Sequence, residues 1–188
     1  MTSKARYEAS RVLHSQHLWS QWTLTFLAVG QILLTLVTAL DLYDHCISND
    51  LINFMTALFA IIVLAYSLLL GMSNFQLRAN QVHRCGIELS GIAKKIRFYI
   101  GNQPIAYQTY ENLVKEYNDC LKGYENHSSR DYFAARLHHG EEFEKCKISN
   151  MEVVCLIIKI WRGNMCLYWH YLASMFALII WMWFLVDI

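Results

Sequence analysis

Three long apolar runs organise this 188-residue chain. Leu18 to Leu40 is 23 residues without a formal charge, Leu51 to Met72 is 22, and Met165 to Val186 is another 22. As helices rising about 1.5 Å per residue, such runs reach roughly 33–35 Å, enough to cross a hydrocarbon core of about 30 Å. The runs are continuous and not alternating, which excludes strands. A lone spanning segment must also satisfy its backbone polar groups internally, which a helix does. The first run starts too late and is too long for a cleavable signal peptide, and it lacks a small-residue cleavage site.

The polar stretches between the runs carry their own pattern. Residues 4–17 predict a short amphipathic helix entering the first span, with Trp19 and Trp22 at interfacial depth. The link DLYDHCISND predicts a tight acidic turn, making the first two spans an antiparallel hairpin, with Asn49 or Asp50 as cap of the second helix. Beyond the second span, apolar residues recur at Phe75, Val82, Cys85, Leu89, Ile92, Ile96 and Tyr99, with Arg78 at the missing position. This heptad seam predicts that the second helix continues past the membrane and offers an oligomer seam through Phe75, Val82, Leu89, Ile92 and Ile96. The sequence GNQP (Gly101–Pro104) ends it. A helix over about 105–121 then places Tyr107, Tyr110, Val114, Tyr117 and Leu121 on one face. The loop GYENHSS leads to a helix over roughly 130–147, capped by Ser128 or Ser129. An apolar run from Met151 to Trp161 leads through Lys159 and Arg162 into the last span.

Composition and charge agree with a membrane protein. The chain is 55% hydrophobic and 16% charged, against roughly 25% charged in a typical soluble domain. The net charge of +1 makes no general case for nucleic-acid binding. Lys4, Arg6 and Arg11 precede the first span, the acidic link has no Lys or Arg, and the other thirteen basic residues lie between Arg78 and Arg162. The positive-inside rule therefore predicts a cytoplasmic N-terminus, a cytoplasmic helical region over 73–164, and a C-terminus on the far side. The expected architecture is all-α: a single membrane domain over 1–188, with a transmembrane hairpin, a long cytoplasmic helical extension and a third C-terminal span. The six cysteines include no CxxC pair, so reduced structural thiols are expected.

Candidate sites each have two readings. Gln21, Thr25, Gln31, Thr35 and Thr38 fall within an arc of about 140° on the first span. Such a stripe lines a water-filled pore in an oligomer, or packs helices together. Asn53, Thr56 and Ser67 lie on a comparable face of the second span. The spans hold no internal Asp, Glu, Lys or Arg, which weighs against ion-coupled transport. Arg78 and Arg84, and the cluster Lys94, Lys95 and Arg97, are candidates for anionic headgroups or a nucleotide phosphate; the alternative is a solvated helix face. His83 with Cys85, and His138-His139 with Glu141-Glu142, make weak metal sites, and no metal or cofactor is expected. No Gly-rich phosphate loop, GxSxG or HExxH is present, so no catalytic residue is assigned. A lipid- or nucleotide-directed enzyme would need its polar cluster near Arg78 and His83.

The stretch RYEASRVLHSQHLWSQWTLTFLAVGQILL, followed by LAYSLLLGMSNFQLRANQVHRCGIEL, resembles the SMODS- and SLOG-associating two-transmembrane effectors, the SLATT family. Its marks are a Tyr-x-Ala-Ser-Arg helix start at Tyr7–Arg11, a helical hairpin, and Asn-Phe-x-Leu-Arg-Ala at Asn74–Ala79, within a resemblance covering roughly residues 1–147. The resemblance implies a bacterial anti-phage effector of the inner membrane that oligomerises on activation, perturbs the bilayer and arrests the infected cell. It also implies, as partner, a reverse transcriptase, a nucleotidyltransferase (a cyclic-oligonucleotide synthase) or a nucleotide signal. The alternative is a membrane anchor recruiting such a soluble enzyme. The extra span at Met165–Val186 departs from the two-span plan.

Overall fold

The structure is a computed structural model that describes residues 2–40, 48–102, 106–143 and 149–186. Its elements are all α-helices: α1 Thr2–Ala39, α2 Asn49–Ser73, α3 Phe75–Asn102, α4 Tyr107–Lys122, α5 Ser129–Phe143 and α6 Asn150–Val186. Three stretches, in α1, in α2 with its continuation, and in α6, are long and apolar enough to cross a membrane. The acidic turn Asp41–Ile47, Pro104, and the end of the helix expected to reach 147 lie outside the described residues.

Two compact units share these helices. Met1–Ser15 and Phe75–Met165 form a polar unit; Gln16–Asn74 and Cys166–Ile188 form a spanning unit. Helices α1 and α6 each contribute one part to either unit.

The second helix does not run on as the heptad spacing predicts. It stops at Ser73, Asn74 takes the left-handed conformation (φ 46, ψ 36), and α3 starts at Phe75. Asn is among the few L residues that visit this region readily, because its short amide bonds locally. Here Asn74 Nδ2 donates to the Met72 carbonyl at 3.3 Å, while Ser73 Oγ donates to Leu69 O at 2.9 Å. The cap of α2 is also different from the expected Asn49 or Asp50. Ser48 holds the extended N-cap conformation and its hydroxyl accepts from Leu51 N at 3.4 Å, with Asp50 in the first turn, where a carboxylate favours the helix dipole.

In the polar unit, α3 and α4 pack through Cys85, Leu89, Ile92 and Cys120, with Ile96, Tyr117, Leu121 and Tyr124 around them. The Cys85, Leu89, Ile92 and Ile96 part of the seam read from the sequence is thus covered by α4 of the same chain. On α4 the buried residues are Leu113 and Cys120, whereas Tyr107, Tyr110 and Val114 are exposed. Of the expected face, Tyr117 and Leu121 pack on this core, while Tyr107, Tyr110 and Val114 stay outside it.

Helix α5 starts on a reciprocal cap. Ser128 Oγ donates to Asp131 Oδ2 at 2.6 Å, Ser128 N donates to the same oxygen at 2.9 Å, and Asp131 N donates to Ser128 Oγ at 3.3 Å. This is the capping-box arrangement with a carboxylate at N3.

Candidate functional site

The spanning unit is built on close approach. Gln16, Ser20, Thr23, Leu27, Gly30 and Leu34 are the buried positions of α1 there, at intervals 4, 3, 4, 3 and 4. Thr23 is fully buried and its hydroxyl donates to Met175 Sδ of α6 at 3.9 Å. A Cβ on Gly30 would collide with the Leu178 side chain, so glycine is what lets α6 sit this close. Leu34 and Ile52 form a second contact, flanked by Val37 and Trp181. The sequence reading followed the polar stripe and missed this seam. The signal was present as small residues at helical spacing beside the stripe.

The stripe itself divides. Gln31 is half-buried and donates from Nε2 to the Thr56 carbonyl at 3.2 Å, tying α1 to α2. Gln31 Oε1 and Thr56 Oγ1 are buried without a hydrogen-bond partner among the described residues. Gln21, Thr25 and Thr35 are exposed, Thr38 is half-buried, and on α2 Asn53 is exposed and Ser67 half-buried. The hydroxyls bond back to their own helices: Thr25 to Gln21 O and Thr35 to Gln31 O, both 2.9 Å, and Ser67 to Leu64 O at 2.7 Å. Such back-bonding satisfies the donor without needing a neighbour.

The polar unit brings together the two short motifs that marked the sequence. Ser10 Oγ donates to Ala79 O at 2.9 Å, and His14 Nδ1 lies 3.3 Å from Gln76 Oε1. Tyr7 meets His83 edge-on at 5.3 Å between ring centres, and a Cβ on Gly86 would press on the Tyr7 ring. Ala5, Ala9 and Ala79 are buried alongside. Small residues let the start of α1 lie against α3, and the hydroxyl of Ser10 fixes its register.

Charge in this unit is organised around the loop between α4 and α5. Arg78 grips Glu125 with both arms, Nε to Oε2 at 2.8 Å and Nη2 to Oε1 at 2.6 Å. These bonds hold the Glu125 carboxyl below its usual pKa, helped by the Arg78 and Arg6 charges, and raise Arg78 further. Arg6 is 1% exposed; Nη2 reaches Asn126 Oδ1 at 3.4 Å, and Nε and Nη1 have no hydrogen-bond partner among the described residues. Burial, then the Arg6 charge, lowers the pKa of His127, against the opposing pull of Asp131. Glu8, buried, accepts from Arg11 Nη1 at 3.2 Å and lies 3.1 Å from His138 Nδ1. The sequence reading passed over Arg6 and Glu8, because charged side chains near a terminus are ordinarily solvated.

Of the basic candidates, Arg78 and Lys95 are engaged within the chain, Lys95 with Glu116 at 2.7 Å. Arg84, Lys94 and Arg97 are exposed on α3. Lys95 and Glu116 border a groove of about 590 Å³ between α3 and α4, also lined by Glu88, Asp119, Cys120 and Tyr124. Tyr124 donates to Glu88 Oε1 at 2.9 Å, which raises its pKa. The Cys85 and Cys120 sulfurs lie 3.8 Å apart, and burial with the Glu88 contact pushes the Cys120 thiol up to about 12, so it stays protonated. Among the described residues no three His, Cys, Asp or Glu side chains converge as metal ligands would. The side chains of Glu141 and Glu142 lie outside the described residues.

The model of one protein family, the SMODS and SLOG-associating 2TM effector domain family 5, matches residues 1–185. The match runs through nearly all of α6, further than the stretch of roughly 1–147 over which the resemblance was read. Neither the curated proteins nor the solved structures include a match.

Proposed function

Since the chain belongs to the SMODS- and SLOG-associating two-transmembrane effector family, whose members are membrane effectors of defence systems, we propose that it acts by self-assembly in the bilayer and perturbs it when triggered. The setting is the inner membrane of a bacterium under phage attack, with the polar unit cytoplasmic and the outcome growth arrest. One observation carries the reading. The spanning unit covers the Ser20–Leu34 side of α1 but leaves Gln21, Thr25 and Thr35, with Asn53 of α2, uncovered. A carboxamide facing hydrocarbon is costly, and a second copy or enclosed water removes that cost. Induced expression in cells loaded with a voltage-sensitive dye tests it. Depolarisation preceding arrest is expected, and arrest at unchanged potential overturns it.

A second reading, a membrane anchor that recruits a soluble defence enzyme such as a reverse transcriptase or nucleotidyltransferase, draws on the exposed cations Arg84, Lys94 and Arg97 of α3. Affinity capture in mild detergent separates the two. A partner held at fixed ratio, with no conductance in liposomes, favours the anchor.

A further inference from the structure

Helix α6 has two apolar sides before it reaches its charge-free run. Val153, Leu156, Ile160 and Gly163, spaced 3, 4 and 3, face the chain's own polar unit, with Leu156 buried and the Arg130 side chain lying over Gly163. Met151, Val154, Ile158, Trp161 and Met165, spaced 3, 4, 3 and 4, form the other side and are 80, 55, 56, 62 and 49% exposed. An ordinary solvent-facing helix puts charge there. The charged residues of this stretch lie off that side: Glu152 accepts from Arg136 Nη2 at 3.4 Å, Lys159 sits 5.0 Å from the centre of the Phe133 ring, and Arg162 is exposed beside the ridge.

From this we infer that the Met151–Met165 ridge is the surface on which a second copy of the chain docks, α6 against α6; the inference rests on the self-assembly reading above and names its contact. Three arguments select a second copy. The helix has 37 residues and spans about 55 Å, far more than a hydrocarbon core of about 30 Å, so lipid cannot cover it throughout. Copies enter a bilayer in one sense, which sets their α6 helices parallel and at equal depth, so each ridge residue meets its own counterpart. A 3-4 repeat interlocks in that register, knobs into holes. Two heptads alone make a marginal pair in water, but the spans hold the ridges together and supply the effective concentration the short seam lacks. The five ridge residues themselves carry no charge, and the adjoining Arg162 is left at their edge.

Photo-cross-linking of the full-length protein in native membranes tests this. With p-benzoylphenylalanine in place of Trp161 or of Ile158, illumination should give a covalent species of twice the chain mass. The same probe in place of Tyr107, a still more exposed aromatic on α4, should not. Ile158→Glu should abolish the cross-link from position 161 while leaving the helical circular dichroism unchanged. Absence of the dimer adduct, adducts to lipid alone, or equal yield from position 107 overturns the inference. Dimer adducts in cells that never depolarise retain the docking surface and retire the membrane-perturbation reading; depolarisation without adducts does the reverse.

Discussion

Helices α3 and α6 carry the same 3-4 apolar repeat and treat it in opposite ways. On α3 the seam of Val82, Cys85, Leu89 and Ile92 is buried, and the outer face is mixed, with Arg84, Lys94 and Arg97 exposed beside Leu77, Ile87, Phe98 and Ile100. On α6 the covered face is a second stripe, and the regular ridge from Met151 to Met165 points outward. Periodicity therefore marks a packing face, and burial says whether the chain itself fills it. The α3 seam is filled within one chain, and the α6 ridge is left exposed by it.

The sharpest way to break this contrast is to truncate one residue of each ridge. Leu89→Ala should cost roughly 2–5 kcal/mol, since it opens a cavity between α3 and α4. Ile158→Ala should stay within about 0.5 kcal/mol in dilute detergent, where α6 meets no second copy. Denaturation monitored by circular dichroism reads both, and equal losses would erase the distinction.

A smaller effect tests the inner side of α6. Gly30→Ala should cost about 1–3 kcal/mol through overpacking on Leu178, and the added Leu178→Ala should recover part of it, because the obstacle is the far end of a flexible side chain. Additive losses in a thermal shift assay would mean that Gly30 does not set this approach.

Helix α5 supplies Arg130 and Phe133 to the covered stripe, so its start matters next. Ser128→Ala removes both the acceptor for Asp131 N and the donor to its carboxylate, and should cost about 1 kcal/mol. An unchanged midpoint of unfolding would place the anchorage of α5 elsewhere.

The smallest effect concerns the polar flank of α3. Glu125 titrates lower in the folded protein than in the unfolded chain, so its contribution is present above its ordinary pKa and is lost as pH falls through the depressed one. Glu125→Gln should cost less than about 1 kcal/mol at neutral pH, since the pair with Arg78 is partly exposed. The variant should also show a flatter decline of stability below about pH 4. A decline as steep as that of the parent would assign the acid sensitivity to other carboxylates.

The spans, the α3 seam and the Ser128 cap were legible because each follows from local spacing or a local bond. The break at Asn74 was not, since the apolar repeat runs straight past a residue whose backbone alone turns aside. On α4 the expected face was legible at Tyr117 and Leu121, which pack on the core, but not at Tyr107 and Tyr110, which are exposed, nor at Leu113 and Cys120, which are buried. Arg6 was illegible for a deeper reason. Its burial is imposed by Asn126 and the loop around it, 120 positions away in the chain, and no window around Arg6 contains that information.

Thr25 and Thr35 have already given their hydroxyl hydrogens to carbonyls one turn back. What they turn outward is a methyl group and oxygen lone pairs. A hydroxyl so engaged can still receive the hydrogens of water, but it has no proton of its own left to extend.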